Sequence, residues 1–169
     1  MRTGKSDYKI IRVTPTLSTD AYAVGDVAFV ATEIPNAVIG NGGCSKIVNA
    51  YLVDQDRDSY ILQTIFTEGN TALGTINATA DISDADLLAN NICGISKVDA
   101  DQATTSNHID NSRIHQMLPA SLSNENTQDL MLLQAANDST SVFVQGILIS
   151  STTPTYADGD IQLILHLEK

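Results

Sequence analysis

Apolar residues in this chain come in short runs of strand length, separated by polar clusters rich in Gly, Asn, Asp and Ser. Residues 8–14 alternate in part and predict a first strand, ended by Pro15. Residues 27–32 are apolar at both parities, which predicts a second strand with little solvent on either face, stopped by Pro35. The runs 45–53 and 59–66 flank Asp54-Gln55-Asp56-Arg57-Asp58 and read as a central antiparallel hairpin with a solvated turn. Ser83 ahead of Asp84, Asp86, Leu87 and Leu88 has the form of a helix N-cap with acids in the first turn, so one short helix is expected near 83–90. Residues 92–98 resume a strand, 99–111 read as an exposed polar loop, and 113–122 alternate around Ile114, Met117 and Leu118. The run 129–136 suits a helix or a buried strand, and its β-rich surroundings favour the strand. The strongest strand signal is 141–150. In the last strand, Ile161, Leu163, Leu165 and Leu167 share one face and Gln162, Ile164 and His166 the other. The pattern is that of an all-β chain, with an N-terminal arm at 1–8 and a single domain at 9–169.

One device occurs twice. Thr14-Pro15-Thr16 followed by Tyr22-Ala23-Val24-Gly25-Asp26 returns as Thr153-Pro154-Thr155 followed by Tyr156-Ala157-Asp158-Gly159-Asp160, each copy leading into a β-branched residue. Glycine allows positive φ there, and the aspartate caps its own turn. The two copies are expected to start strands 27–32 and 161–167 from equivalent corners of two packed sheets.

Composition narrows the classes. A chain of 169 residues fits one domain with a real core. Nine basic against twenty acidic residues give a net charge of −11, a sign that repels phosphate backbones, so direct nucleic-acid binding is not expected. No apolar run approaches the ~18 residues of a membrane span, and no apolar region behind residues 1–6 suggests a signal peptide. Cys44 and Cys93 lack CxxC spacing and are expected as free thiols packed as small apolar groups.

Candidate chemistry changes the picture little. Asp54, Asp56 and Asp58 resemble the opening of a calcium loop, but Ser59 stands where the loop needs glycine and Ile65 where it needs glutamate. The glycines of 39–45 lack the lysine and hydroxyl of a phosphate-binding loop, and Thr3-Gly4-Lys5-Ser6 lacks the glycine-rich lead. His108, Asp110 and His115 have no metal-motif spacing. Neither a Gly-x-Ser-x-Gly elbow nor a His-Glu-x-x-His helix is present. Asp26 and Asp160 follow turn glycines, where capping is the ordinary duty. No catalytic residue, metal ligand or cofactor is assigned, and an enzyme is not expected.

The opening 11–17 and 22–27, the 48–66 segment with its Asp54 turn, Ser83-Asp84-Ala85-Asp86-Leu87, and Thr153-Pro154-Thr155-Tyr156-Ala157 before Leu163-Ile164-Leu165 together resemble small virion structural proteins of tailed bacteriophages. The likeness spans nearly the whole chain in order, except 99–128. It implies an antiparallel β-sandwich of jelly-roll type and a place on the outer capsid surface, as a decoration or cement protein bound to the major capsid protein lattice. It also implies a homotrimer, assembled in the host cytoplasm. A tail, neck or fibre-base protein is the nearest alternative. A carbohydrate-binding jelly roll with a weak calcium site at Asp54, Asp56 and Asp58 is a more distant one, opposed by the scarcity of aromatic residues on which sugars stack. The interface candidates lie on two segments too polar for the core: Arg2, Lys5 and Tyr8 in the arm, and Asn107, His108, Asp110 and Arg113 in or beside the polar loop.

Overall fold

A computed structural model describes residues 7–56, 58, 60–100, 106–109, 112–119, 131–149 and 153–169. Among these the chain forms β1 (Tyr8–Val13), β2 (Val27–Ile34), β3 (Cys44–Asp54), β4 (Ile61–Thr67), α1 (Asp84–Ala89), β5 (Ile92–Asp99), β6 (Ser106–Ile109), β7 (Ser112–Gln116), β8 (Leu118–Pro119), β9 (Met131–Gln134), β10 (Val142–Leu148) and β11 (Ile161–Glu168). The first sheet runs β1-β11-β3-β7-β6, with β9 also on β3, and the second runs β2-β10-β4-β5-β8. Successive strands β1 to β4 alternate between the sheets, and β10 and β11 return beside β2 and β1. That is the order of a jelly roll, with β7 and β9 sharing one strand position and β6 and β8 added at the edges.

The inner faces of both sheets make one core. Ile161, Leu163, Leu165 and Leu167 are fully buried, as their alternation requires, and pack with Ile11, Val13 and Leu52 of the first sheet and Val142, Val144, Leu62 and Phe66 of the second. β3 shows how the sheets are locked together. Its first part, Cys44–Ile47, pairs with β9, and its last part, Tyr51–Asp54, pairs with β7. Between them the Met117 N–H donates to Ala50 O at 2.9 Å, and the chain then lays β8 against β5 in the other sheet.

The repeated turn is one structure built twice. Gly25 and Gly159 take φ of 90° and 92°. The Ala23 N–H donates to Asp26 Oδ2 at 2.7 Å, and the Ala157 N–H donates to Asp160 Oδ2. In return the Asp26 and Asp160 N–H groups donate to Ala23 O and Ala157 O, both at 3.2 Å. One copy starts β2 and the other β11, in different sheets, and the copies touch: the Tyr22 N–H donates to Pro154 O at 3.0 Å, and the Tyr22 and Tyr156 rings meet edge-on at 5.6 Å. The expectation of corresponding corners holds.

Several expectations are corrected. Residues 45–66 are not a hairpin, because β3 and β4 lie in different sheets and the chain passes from one sheet to the other after Asp54. Both strands are nonetheless central in their own sheets. Asp54 is accordingly fully buried and not solvated. β2 is closed on both faces only over Val27, Ala28 and Phe29, because it is the edge strand of its sheet. The stretch 99–111 is not all loop: Ser106–Ile109 pairs with β7, which short polar residues did not advertise. Tyr8, counted with both the arm and the first strand, pairs with Glu168 in β1. Strand 131–134 and helix 84–89, capped by Ser83, stand as expected.

Candidate interaction surface

Each sheet turns one face inward, so the chemistry offered to partners lies on the two outer faces. Register assembles the outer face of the first sheet in rows. Tyr8, Glu168, Lys46 and Leu132 lie side by side, then Ile10, His166 and Asn49, then Arg12, Ile164, Tyr51 and Gln116, and then Gln162, Val53 and Ile114. These side chains are exposed or half-buried, with Leu132 63% and Ile10 51% exposed. The Tyr51 and His166 rings stack edge-on at 5.7 Å. Glu168 is the carboxylate of this face, and Tyr8 Oη donates to it at 3.2 Å while Lys46 Nζ donates from the other side at 3.4 Å. An aliphatic and aromatic sheet face with a basic margin is thus left uncovered by the described residues of a strongly acidic chain.

The second sheet is covered. Outward Gln145 sits among apolar neighbours on β10 yet is fully buried. Its Oε1 accepts the Leu73 N–H and its Nε2 donates to Thr71 O, both at 2.9 Å, which draws the 68–91 connection across the sheet. Asn90 Nδ2 also donates to Thr71 O at 2.9 Å and its Oδ1 accepts the Thr71 N–H at 3.1 Å, closing the connection on itself. Leu73 and Ile65 are buried beneath it, outside the main core. The connection also carries α1, whose first turn is held by the Ser83 Oγ accepting the Asp86 N–H at 3.1 Å. None of the helix is buried, and Leu88 is 76% exposed.

The candidates named from sequence are distributed as follows. Arg2, Lys5 and Asp110 lie outside the described residues. Asn107 and His108 belong to β6, the edge strand of the first sheet, but their side chains lie outside the described residues. Tyr8 is exposed at one margin of the open face. Arg113 is half-buried, and its Nη1 donates to Ala100 O at 3.0 Å and Asp58 O at 3.4 Å, which ties β7 to the crossing segment. That is the placement of a structural tie. Sequence reasoning missed Ile10, Tyr51, Val53, Ile114 and Leu132, although Ile164 among the outward residues of β11 was a visible signal.

The acidic end of the sandwich carries the polar interior. Tyr22, Tyr156, Tyr60 and His115 form a chain of edge-on rings, with centroids 5.6, 5.9 and 6.1 Å apart in that order. Burial pushes the Tyr60 and Tyr156 hydroxyls well above their ordinary range, and the buried Asp54 carboxylate adds to the shift. Asp54 Oδ1 accepts the Asp56 N–H at 2.9 Å, and Asp58 Oδ2 accepts the Thr155 N–H at 3.0 Å, so two of the three carboxylates expected in a free turn tie the crossing in place. Desolvation, then Asp58 and Asp160, raise the Asp56 carboxyl. Among the described residues no group of three or more His, Cys, Asp or Glu could hold a metal ion. His115 faces the core against Tyr60.

Both thiols are free, as expected, and Cys93 is half-buried against the core, but Cys44 is exposed, which corrects the expectation that it too is packed. The Ala135 N–H donates to Gly43 O, so the neighbouring Cys44–Gln134 pair is a non-hydrogen-bonded one, whose Gln134 carbonyl points away from β3. Cys93 Sγ lies 3.5 Å from that carbonyl, on the far side of β9 from Cys44. No protein-family model and no curated protein matches this sequence.

Proposed function

We propose that this chain is a virion structural protein of a tailed bacteriophage, a capsid decoration or cement protein that binds and stabilises the major capsid protein lattice as a homotrimer. The observation that carries the reading is the open outer face of the first sheet. Contiguous apolar surface of this kind on a water-facing sheet marks a protein-binding site. The jelly-roll sandwich fits the resemblance carried by the two Thr-Pro-Thr and Tyr-Ala-x-Gly-Asp segments, although a fold by itself assigns no function. In this reading the arm with Arg2 and Lys5 and the edge around Asn107 and His108 meet the shell. Stabilisation comes from area buried across shell subunits, with no reaction involved.

The test is to mix the purified protein with capsid shells stripped of it. Saturable co-sedimentation at a fixed ratio to the major capsid protein, with a raised melting temperature of the shell, is the expected result. Binding to isolated tails or necks and not to shells would move the protein to the alternative position. Binding to neither overturns the virion reading.

A further inference from the structure

Among the exposed apolar side chains of the described surface, two groups lie beside charges of opposite sign. One is α1, where Leu87 and Leu88 stand out beside Asp84 and Asp86. A helix of six residues has little stability of its own, and its leucines gain nothing from this chain's core. The other is the outer face of the first sheet, where Arg12 and Lys46 flank Ile164 and Tyr51 and the Glu168 carboxylate already accepts two donors.

We infer that the open sheet face receives helix α1 of a second copy of this chain. Apolar surface meets apolar surface, and the carboxylates of the helix meet the basic margin of the sheet. The charge balance selects this pairing over the symmetric ones. Face against face would bring together two surfaces that each carry Arg12 and Lys46, and helix against helix two that each carry Asp84 and Asp86, on copies that each carry −11. Because the two surfaces differ, the contact is heterologous, the kind that builds rings of three or more subunits. A two-turn helix on a sheet falls below the roughly 1,200 Å² of a standard stable interface, so one contact is weak and ring closure supplies the rest. The inference specifies the subunit contact of the proposed homotrimer but does not depend on the shell.

The experiment is analytical ultracentrifugation of the purified protein at low salt over a wide concentration range, with three variants. The wild type is expected to associate, and rising ionic strength to weaken it. Leu88→Asp, which damages the helix, and Arg12→Glu with Lys46→Glu, which damages the face, should each weaken association at least tenfold with unchanged thermal melts. Mixed in equal amounts, these two variants should form a dimer only at the top of the concentration range, and no larger species, because one intact helix and one intact face leave a single weak contact and no ring. Adding Asp84→Lys to the face variant should restore association. A wild type that stays monomeric, variants that associate normally, or a mixture that stays monomeric overturns the inference. Shell binding is measured separately, so failure of either reading leaves the other legible.

Discussion

The two sheets have inner faces of the same character but outer faces of opposite fates. The second sheet recruits its own 68–91 connection through Gln145, and Leu73 and Ile65 are buried there although they lie outside the main core. The first sheet recruits nothing from the described residues and keeps Ile10, Tyr51, Ile164 and Leu132 in contact with water. Covering a sheet face with the chain's own connection adds stability to the monomer. Leaving one open reserves that stabilisation for association. Which side chains matter for folding, and which for partners, should therefore divide between the faces.

The same substitution on each face gives the largest contrast. Leu73→Ala removes a leucine that is 1% exposed and leaves a cavity under the connection, so unfolding in urea should show a loss of about 3 kcal/mol. A loss below about 1 kcal/mol would mean that the connection rests on the sheet without stabilising it.

The acidic end, where the two repeated turns meet, gives the next effect. Burial raises the Tyr60 and Tyr156 hydroxyls far above the ordinary value of 10.0, so the folded chain keeps two protons that the unfolded chain starts to lose. Their contribution is fully present below pH 10 and falls as pH rises beyond it, by about 1.4 kcal/mol per pH unit for each tyrosine. Tyrosinate absorbance followed alongside circular dichroism should show these two hydroxyls ionising together with unfolding. Ionisation of all five tyrosines before any loss of structure would contradict the buried placement.

The contrast between faces also explains what was legible in the sequence. The last strand was readable because Ile161 to Leu167 alternate without exception, and α1 because Ser83 and Asp86 form a local cap. The repeated turn was readable because its hydrogen bonds close within five residues, from Tyr22 to Asp26 and from Tyr156 to Asp160. The partners of β3 were not, since two apolar runs around a polar turn describe a hairpin and a sheet-to-sheet crossing equally well. The burial of Asp54 followed from that choice and was lost with it. The cover over the second sheet left one faint trace, a glutamine inside Val142-Phe143-Val144-Gln145-Gly146-Ile147, which asks for a polar partner from elsewhere. Of the interface candidates named from sequence, Tyr8 does lie on the open face, while Arg113 serves the interior, because polarity alone does not tell a solvated side chain from one that satisfies buried carbonyls.

On the open face, Leu132→Ala should change the stability of the monomer by no more than about 0.5 kcal/mol, since the side chain is already 63% exposed. Measured beside Leu73→Ala, it isolates the difference between the faces from the chemistry of leucine. A loss comparable to that of Leu73 would mean that Leu132 is covered in the folded protein, and the comparison between an open and a closed face would fail there.

The two cysteines carry the comparison down to reactivity without involving stability. Cys44 lies on the outward side of β3, exposed, whereas Cys93 is half-buried beside β9, with its thiol pushed up by burial and by Glu68 and Cys44, against a lowering contact with Gln134 O. Only the thiolate reacts, so at neutral pH Cys93 should be modified by a disulfide reagent several-fold more slowly than Cys44. The strand between them holds the sulfurs apart, so a native disulfide is not expected, and both thiols should titrate without reductant. Cys44→Ser should remove the fast phase and Cys93→Ser the slow one. If both phases belonged to one residue, or if the thiols appeared only after reduction, the edge where β9 meets β5 would have to be arranged differently from the one described.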